Sequence, residues 1–188
     1  MRRFILTLAG AALLVAAPAW ADKYSDALDT FRQAGESRKF LDTAYGYALF
    51  PTVGKGGIVV GAAYGEGRVY QGGKVIGTAK LTQASIGLQL GGQAYSQIIF
   101  FKDARALKEF TTTGFEFGAD ASAVIITAGA TATAGTKGAA ASASTNKKDA
   151  DSSGAWYKGM AVFTIVKGGA MYELSLAGQK FTYKAGAD

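Results

Sequence analysis

Residues 45–70 read YGYALFPTVGKGGIVVGAAYGEGRVY. Glycine recurs there at 46, 54, 56, 57, 61, 65 and 67, then at 72, 73, 77 and 87, with aromatic and β-branched residues between. Such a stretch favours a twisted antiparallel sheet with tight turns and close backbone approaches. Val53-Gly54-Lys55-Gly56-Gly57 reads as a glycine-rich turn, and Ile58–Tyr64, apolar on both faces, as a buried central strand. Gly65-Glu66-Gly67 is expected to turn the chain into Arg68-Val69-Tyr70, and Gln71-Gly72-Gly73 to turn it again into a strand over Lys74–Lys80.

Upstream, Tyr24, Ala27, Leu28, Phe31 and Ala34 recur at helical spacing, with Asp26, Asp29, Arg32 and Gln33 on the other side. Gly35 interrupts the pattern. A second helix is expected from Ser37 through Phe40, Leu41, Ala44 and Ala48, ending before Pro51. Two readings fit: a helix pair packed on the sheet, or an amphipathic surface for membrane docking bordered by Lys23, Arg32, Arg38 and Lys39.

Downstream, Ile86, Leu88 and Leu90 alternate with Ser85, Gly87 and Gln89, and a further strand runs from Gln93 to Phe101. Asp103 is placed to cap a short helix through Thr112, with Leu107 and Phe110 on one side. Extended structure resumes over Phe115–Ile126. Residues 129–154 shift to Ala, Thr, Ser, Gly and Lys with no large apolar side chain, a polar excursion with little apolar area to bury. Replacing Thr136–Ser153 by a short link is therefore expected to change stability little. Three strands close the chain, around Ala161–Val166, Tyr172–Leu176 and Phe181–Tyr183.

Arg2 and Arg3, the apolar run Phe4–Ala17 and Ala19-Trp20-Ala21 have the form of a secretory signal peptide cleaved after residue 21. The run is too short for the ~20 residues that span a bilayer. Residues 22–188 suit one domain with a real core. The whole chain carries a net charge of +6, to which Arg2 and Arg3 contribute. This favours anionic surfaces, but no basic cluster exceeds two residues, so nucleic acid is not an expected partner.

The chain has no His and no Cys. Ser-His-Asp and Cys-His catalysis, disulfides and the usual zinc, copper and haem ligation are thereby excluded. Glu66, Glu116, Asp120 and Glu173 lie among β-runs with no spacing that forces a pair together, so they read as turn, ion-pair and solvent-facing residues. Tyr45, Tyr47, Tyr64, Tyr70, Tyr95, Tyr172, Tyr183, Trp156 and Phe50 suggest an interfacial belt, with half or more in core or cross-strand pairs. Lys55 in its glycine-rich turn could meet a phosphate, although the spacing is not that of a nucleotide loop. An eight-stranded outer-membrane barrel also fits the length, but the helical pieces and the C-terminal Ala-Gly-Ala-Asp argue against it.

The order of these pieces resembles the SYLF domain. The matching residues are Ala44–Pro51, Val53–Gly57, Val60–Gly67, Ala84–Gly91, Phe110 followed by Phe117–Ala121, then Lys167-Gly168 and Leu174–Gly178. Met171, Glu173 and the Ala/Thr-rich 129–154 stretch depart from the pattern. The resemblance covers roughly Asp22 to Tyr183. It implies binding of anionic phospholipid, with the N-terminal amphipathic segment as contact surface.

The expected architecture is α+β and mainly β: a single-domain, twisted antiparallel, barrel-like sheet of about nine strands with N-terminal helices and one short inserted helix. The expected function is that of an exported, periplasmic or secreted module, peripheral to the membrane, that binds anionic phospholipid. It uses no cofactor, metal or catalytic residue. Lipid contacts are expected from Arg32, Arg38, Lys39, Lys55, Arg68 and Lys167. The alternative is a structural or adaptor protein that binds a polypeptide or another envelope component.

Overall fold

The computed structural model describes residues 20–57, 60–86, 91–112, 114–118, 121, 123–127, 156–169 and 176–186. Two helices, α1 (Trp20–Gln33) and α2 (Gly35–Thr43), precede four long strands: β1 (Gly46–Gly57), β2 (Val60–Gln71), β3 (Lys74–Ile86) and β4 (Gly91–Phe101). Helix α3 (Ala104–Thr111) leads to β5 (Phe115–Glu116) and β6 (Ala123–Thr127), and β7 (Met160–Gly169) and β8 (Lys180–Ala185) close the chain. All eight strands form one curled sheet in the order β5-β8-β3-β2-β1-β4-β7-β6. The α+β, mainly β expectation therefore holds. The strands number eight among the described residues where nine were expected, and β6 runs parallel to β7 in an otherwise antiparallel sheet.

Both sheet faces carry a core. The inner face gathers Phe50, Val53, Leu81, Tyr95, Ile99, Phe101 and Phe181 beneath Leu107 and Phe110 of α3. The Asp103 carboxylate caps α3 as expected, accepting from the Ala106 N–H at 2.8 Å. The outer face packs Leu49, Ile98, Phe100, Phe163 and Ile165 against Tyr24, Ala27 and Phe31 of α1 and Phe40 and Leu41 of α2. Of the two readings of the N-terminal helices, packing is the one seen. The apolar stripe of α1 lies against the sheet.

Four local expectations are corrected. The second helix stops at Thr43, where Ala44 turns extended and its N–H bonds back to the Phe40 carbonyl. Ala48 and Pro51 belong to β1, which finds partners on both edges and both faces. Pro51 has no N–H to donate. It sits where the ladders shift register, between Leu49 and Thr52 against β2 and between Phe50 and Val53 against β4.

Gly65-Glu66-Gly67 is not a turn, because β2 runs straight through it. Its glycines serve close approach: a Cβ on Gly65 would stand 2.7 Å from Val53 Cγ2, and one on Gly67 would stand 2.6 Å from the Phe50 ring. Likewise Gly54-Lys55-Gly56-Gly57 is the second half of β1 and not a loop. Ile58 and Val59 lie outside the described residues, and Val60, Ala62 and Tyr64 are exposed. So this strand, expected to be buried on both faces, buries one face only over its described residues. The Gln71–Lys74 hairpin turn is as expected, with Gly72 and Gly73 both at positive φ (56° and 77°), the two-residue turn that matches strand twist. The leader up to Ala19, the 129–154 excursion and the Tyr172–Leu176 strand, except for buried Leu176, fall outside the described residues, while Trp20 and Ala21 open α1.

Candidate functional site

The corner between α1 and α2 is locked by a buried hydroxyl. Ser37 Oγ donates toward the carbonyls of Phe31, in the last turn of α1, and of Ala34, the residue between the two helices. This fixes Arg38 next to the end of α1, where Arg32 sits. The chain then runs through Ala44 and Tyr45, whose N–H bonds to the Phe101 carbonyl at 2.8 Å, into β1. Because β1 and β2 pair over their full length with Gly46 opposite Gln71, the β2–β3 hairpin turn arrives at this same corner. An open cleft of about 770 Å³ results, lined by Arg32, Gln33 and Arg38 on the helices, Tyr45 and Tyr47 at the start of β1, and the Gly72-Gly73 turn.

Arg32 pairs with Asp29 at 2.9 Å, both side chains more than half exposed. Such a surface pair is worth about 0–1 kcal/mol, so it does not hold the guanidinium against a better anionic partner. Asp42 also lines the cleft and tempers its charge. Tyr45 is 41% exposed, and its hydroxyl oxygen accepts from Gln71 Nε2 at 2.7 Å. Tyr47 stacks on Tyr70 with ring centroids 4.7 Å apart. Burial, reinforced by Tyr70, pushes the Tyr47 hydroxyl up to about 12, and the Arg32 cation only partly offsets this. It stays neutral at physiological pH and can donate. The cleft can thus offer two guanidinium groups and a phenol to an anion.

The six expected contact residues do not form one patch. Arg32 and Arg38 meet in the cleft. Lys39 is exposed beside Arg38 on α2. Lys55 is a correction: strand alternation turns it to the inner face, where it is 6% exposed, not into a surface loop. Arg68 is half-buried, its guanidinium carbon 4.3 Å from the centre of the Tyr24 ring on α1. Lys167 is exposed on β7, with Nζ 3.3 Å from Thr52 Oγ1.

The tyrosines scatter as well. Tyr47 and Tyr70 are a cross-strand pair, Tyr95 is core, and only Tyr45 and Tyr64 are strongly exposed among those described. Glu66 accepts from Tyr64 at 2.6 Å, a bond that holds its carboxyl below its usual range, and has Lys80 at 3.7 Å. Glu116 pairs with Lys180 at 3.5 Å. Both carboxylates face solvent. The wall that sequence reasoning missed is Tyr45, Gln71 and the Gly72-Gly73 turn acting together. Reading residues 60–71 as one unbroken strand would have found it.

The family model described as Ysc84, Las17-binding protein actin regulator, matches residues 82–187. The chain is also similar to the Beta cell expansion factor A of Aeromonas veronii, at 25% identity over 160 residues. That alignment covers 80% of this chain and 50% of the relative, so the chain spans about half the length of the curated relative it matches.

Proposed function

The chain belongs to the Ysc84 family, the SYLF domain whose pattern its sequence carries, and from that premise we propose that it is a non-catalytic module that docks on anionic phospholipid surfaces at the Arg32–Arg38 cleft. Family membership supports a lipid-binding or actin-regulator-like module. The observation that carries the finer reading is the convergence of two guanidinium groups and an exposed tyrosine on one open cleft. Lys39 adds a third cation on the same helix as Arg38.

The apolar stripe of α1 is covered by the sheet, so contact in this conformation is electrostatic, with Tyr45 as the aromatic group at the interface. Each cation near an anionic surface contributes on the order of 1 kcal/mol, decaying within a Debye length. The leader-like residues 1–21 support export and a periplasmic or secreted site of action.

Changing Arg32, Arg38 and Lys39 together to Ser should reduce co-sedimentation with anionic vesicles about tenfold, since 1.4 kcal/mol already corresponds to that factor. Circular dichroism should be unchanged, raised salt should weaken the parent, and phosphatidylcholine vesicles should bind poorly. Equal binding by a folded triple variant would move the site to Arg68, Lys158 and Lys167. A second reading draws on the family's description as Las17-binding: the same cleft would take a polypeptide. A parent that binds no anionic vesicle at low salt sinks the lipid reading in favour of that one.

A further inference from the structure

The inner face of the sheet is apolar at one end and polar at the other. Toward Gly57 it carries Lys55 on β1, Gln83 on β3 and Gln93 on β4, all buried, with Gln97 two layers further in. Register sets them side by side, Lys55 opposite Gln93 on one flank and Ala63 on the other, and Ala63 opposite Gln83. The intervening β2 positions are Gly61, Ala63 and Gly65, all buried and all small.

Most of these amides are accounted for. Gln83 Nε2 donates to the Ala177 carbonyl at 2.9 Å, Gln97 Nε2 to Gln179 Oε1 at 3.0 Å, and Gln179 Nε2 to the Tyr95 hydroxyl at 3.4 Å. Gln93 Nε2, Gln93 Oε1 and Gln97 Oε1 have no protein partner, in side chains 4% and 0% exposed. Each such orphan costs about 1–3 kcal/mol, a large share of a domain's net stability of about 5–15 kcal/mol. An amide open at both ends is a poor core residue. It is a good recognition group, because it presents a donor and an acceptor side by side.

The orphan inventory limits the ligand. Two of the three atoms are acceptors, so a carboxylate or fully ionised phosphate, which cannot donate, leaves them unmet. Lys55 in the same layer disfavours a cation. A hydroxyl donates and accepts at once, and two on adjacent carbons match the two ends of one amide. We propose that this end of the interior binds a small polyol with vicinal hydroxyls, either free or as the glycerol headgroup of a lipid. Two vicinal hydroxyls, one accepting from Gln93 Nε2 and the other donating to Gln93 Oε1, are the contacts that a free polyol and a lipid headgroup share, and the third hydroxyl of free glycerol is left to donate to Gln97 Oε1. The site lies on the opposite face of the sheet from the cleft helices and does not depend on lipid docking there.

Side-chain amide NMR of the full chain with labelled glutamine tests this directly. Glycerol should shift the Gln93 NH₂ signals saturably, with a dissociation constant of about 1 mM or tighter. Propane-1,3-diol, of similar size but without vicinal hydroxyls, should not. Soluble dihexanoyl phosphatidylglycerol set against dihexanoyl phosphatidic acid separates the sources. A Gln93 response to phosphatidylglycerol alone assigns a lipid headgroup, and a response to glycerol alone assigns a free polyol.

Gln33, which lines the cleft, reports anionic binding there independently, so failure of one site does not count against the other. Gln93→Met should remove the accompanying glycerol-dependent shift of the Gln97 NH₂ signals and raise the thermal midpoint in polyol-free buffer. Should that variant not fold, Gln97→Met should weaken the Gln93 response about tenfold. No saturable Gln93 shift with any polyol probe, or an equal one with propane-1,3-diol, overturns the proposal.

Discussion

The two halves of β1 are built on opposite terms. From Gly46 to Pro51 the strand is enclosed on both faces: Ala48 and Phe50 face the inner core while Tyr47 and Leu49 lie beneath the α1–α2 pair. From Thr52 to Gly56 burial alternates strictly, with Val53 and Lys55 inside and Thr52, Gly54 and Gly56 bare. The register shift at Pro51 divides them. Helices cover one half of the outer face, and the other half leaves Thr52, Gly54 and Gly56 of β1 and Val60, Ala62 and Tyr64 of β2 open to solvent. One strand can therefore be a core element at one end and a smooth open surface at the other. The sequence marks the change by replacing large outer side chains with glycine.

The enclosed half should break first. Gly67→Val should abolish folding, since any Cβ there meets the Phe50 ring at 2.6 Å and the Leu49 carbonyl at 2.7 Å, neither able to retreat from a packed core. Loss of the native circular dichroism spectrum is the expected readout. Truncations that leave cavities should cost less. Phe50→Ala on the inner face and Phe31→Ala on the outer face should each lower stability by about 3–5 kcal/mol in denaturant titrations. Similar costs would establish the outer core as a full second core. If Phe31→Ala costs under about 1 kcal/mol, the α1–sheet contact is weak, and release of the helix onto a membrane becomes the better account of docking.

Alkaline titration gives a smaller effect with a definite sign. Burial raises the Tyr47 hydroxyl to about 12, above its ordinary value of 10. The stability this reflects is complete below pH 10 and is lost as pH rises toward 12. It amounts to on the order of 2 kcal/mol for a two-unit shift. Tyr95 and Tyr70 shift the same way for the same reason. Tyr47→Phe should therefore flatten part of the stability loss between pH 10 and 12, measured by urea unfolding. An unchanged profile would mean that Tyr47 is already solvated.

The local signals in the sequence were good where chemistry is local. Asp103 as a cap, Gly72-Gly73 as a hairpin turn and the helical spacing of Tyr24, Ala27 and Phe31 could all be read without a partner in view. Glycine was ambiguous for a physical reason. It enters a chain for positive φ, as at Gly72, or to admit a neighbour's side chain, as at Gly65 and Gly67, and only tertiary packing separates the two. Reading Gly65–Gly67 as a turn broke β2 and hid the full-length pairing that brings the hairpin to the α1–α2 corner, and reading Val53–Gly57 as a turn put Lys55 in a loop instead of on the inner face of β1. Arg32 and Arg38 were legible as candidates because helical spacing exposed them. Their common cleft with Tyr45 was not, since it depends on register across two strands.

The smallest expected effect sharpens the comparison most, because it sets two glycines of neighbouring strands against each other. Gly54 lies opposite Tyr64, and Gly65 lies opposite Val53. A Cβ at Gly54 meets nothing within 4 Å, whereas at Gly65 it would press on Val53 Cγ2 and the Thr52 carbonyl. Gly54 is not among the residues at positive φ, so a side chain fits its backbone. Gly54→Thr should then stabilise by about 0.4–1 kcal/mol, by reducing the freedom of the unfolded chain. Packing against Tyr64 adds to this in the same direction. Gly65→Thr should destabilise by several times as much. Thermal melts of the two variants, run with the parent, give the signs directly. A Gly54→Thr variant that loses more than about 1 kcal/mol would show that the outer half of β1 is covered in the working protein, and that the open glycine face is an interface rather than a surface.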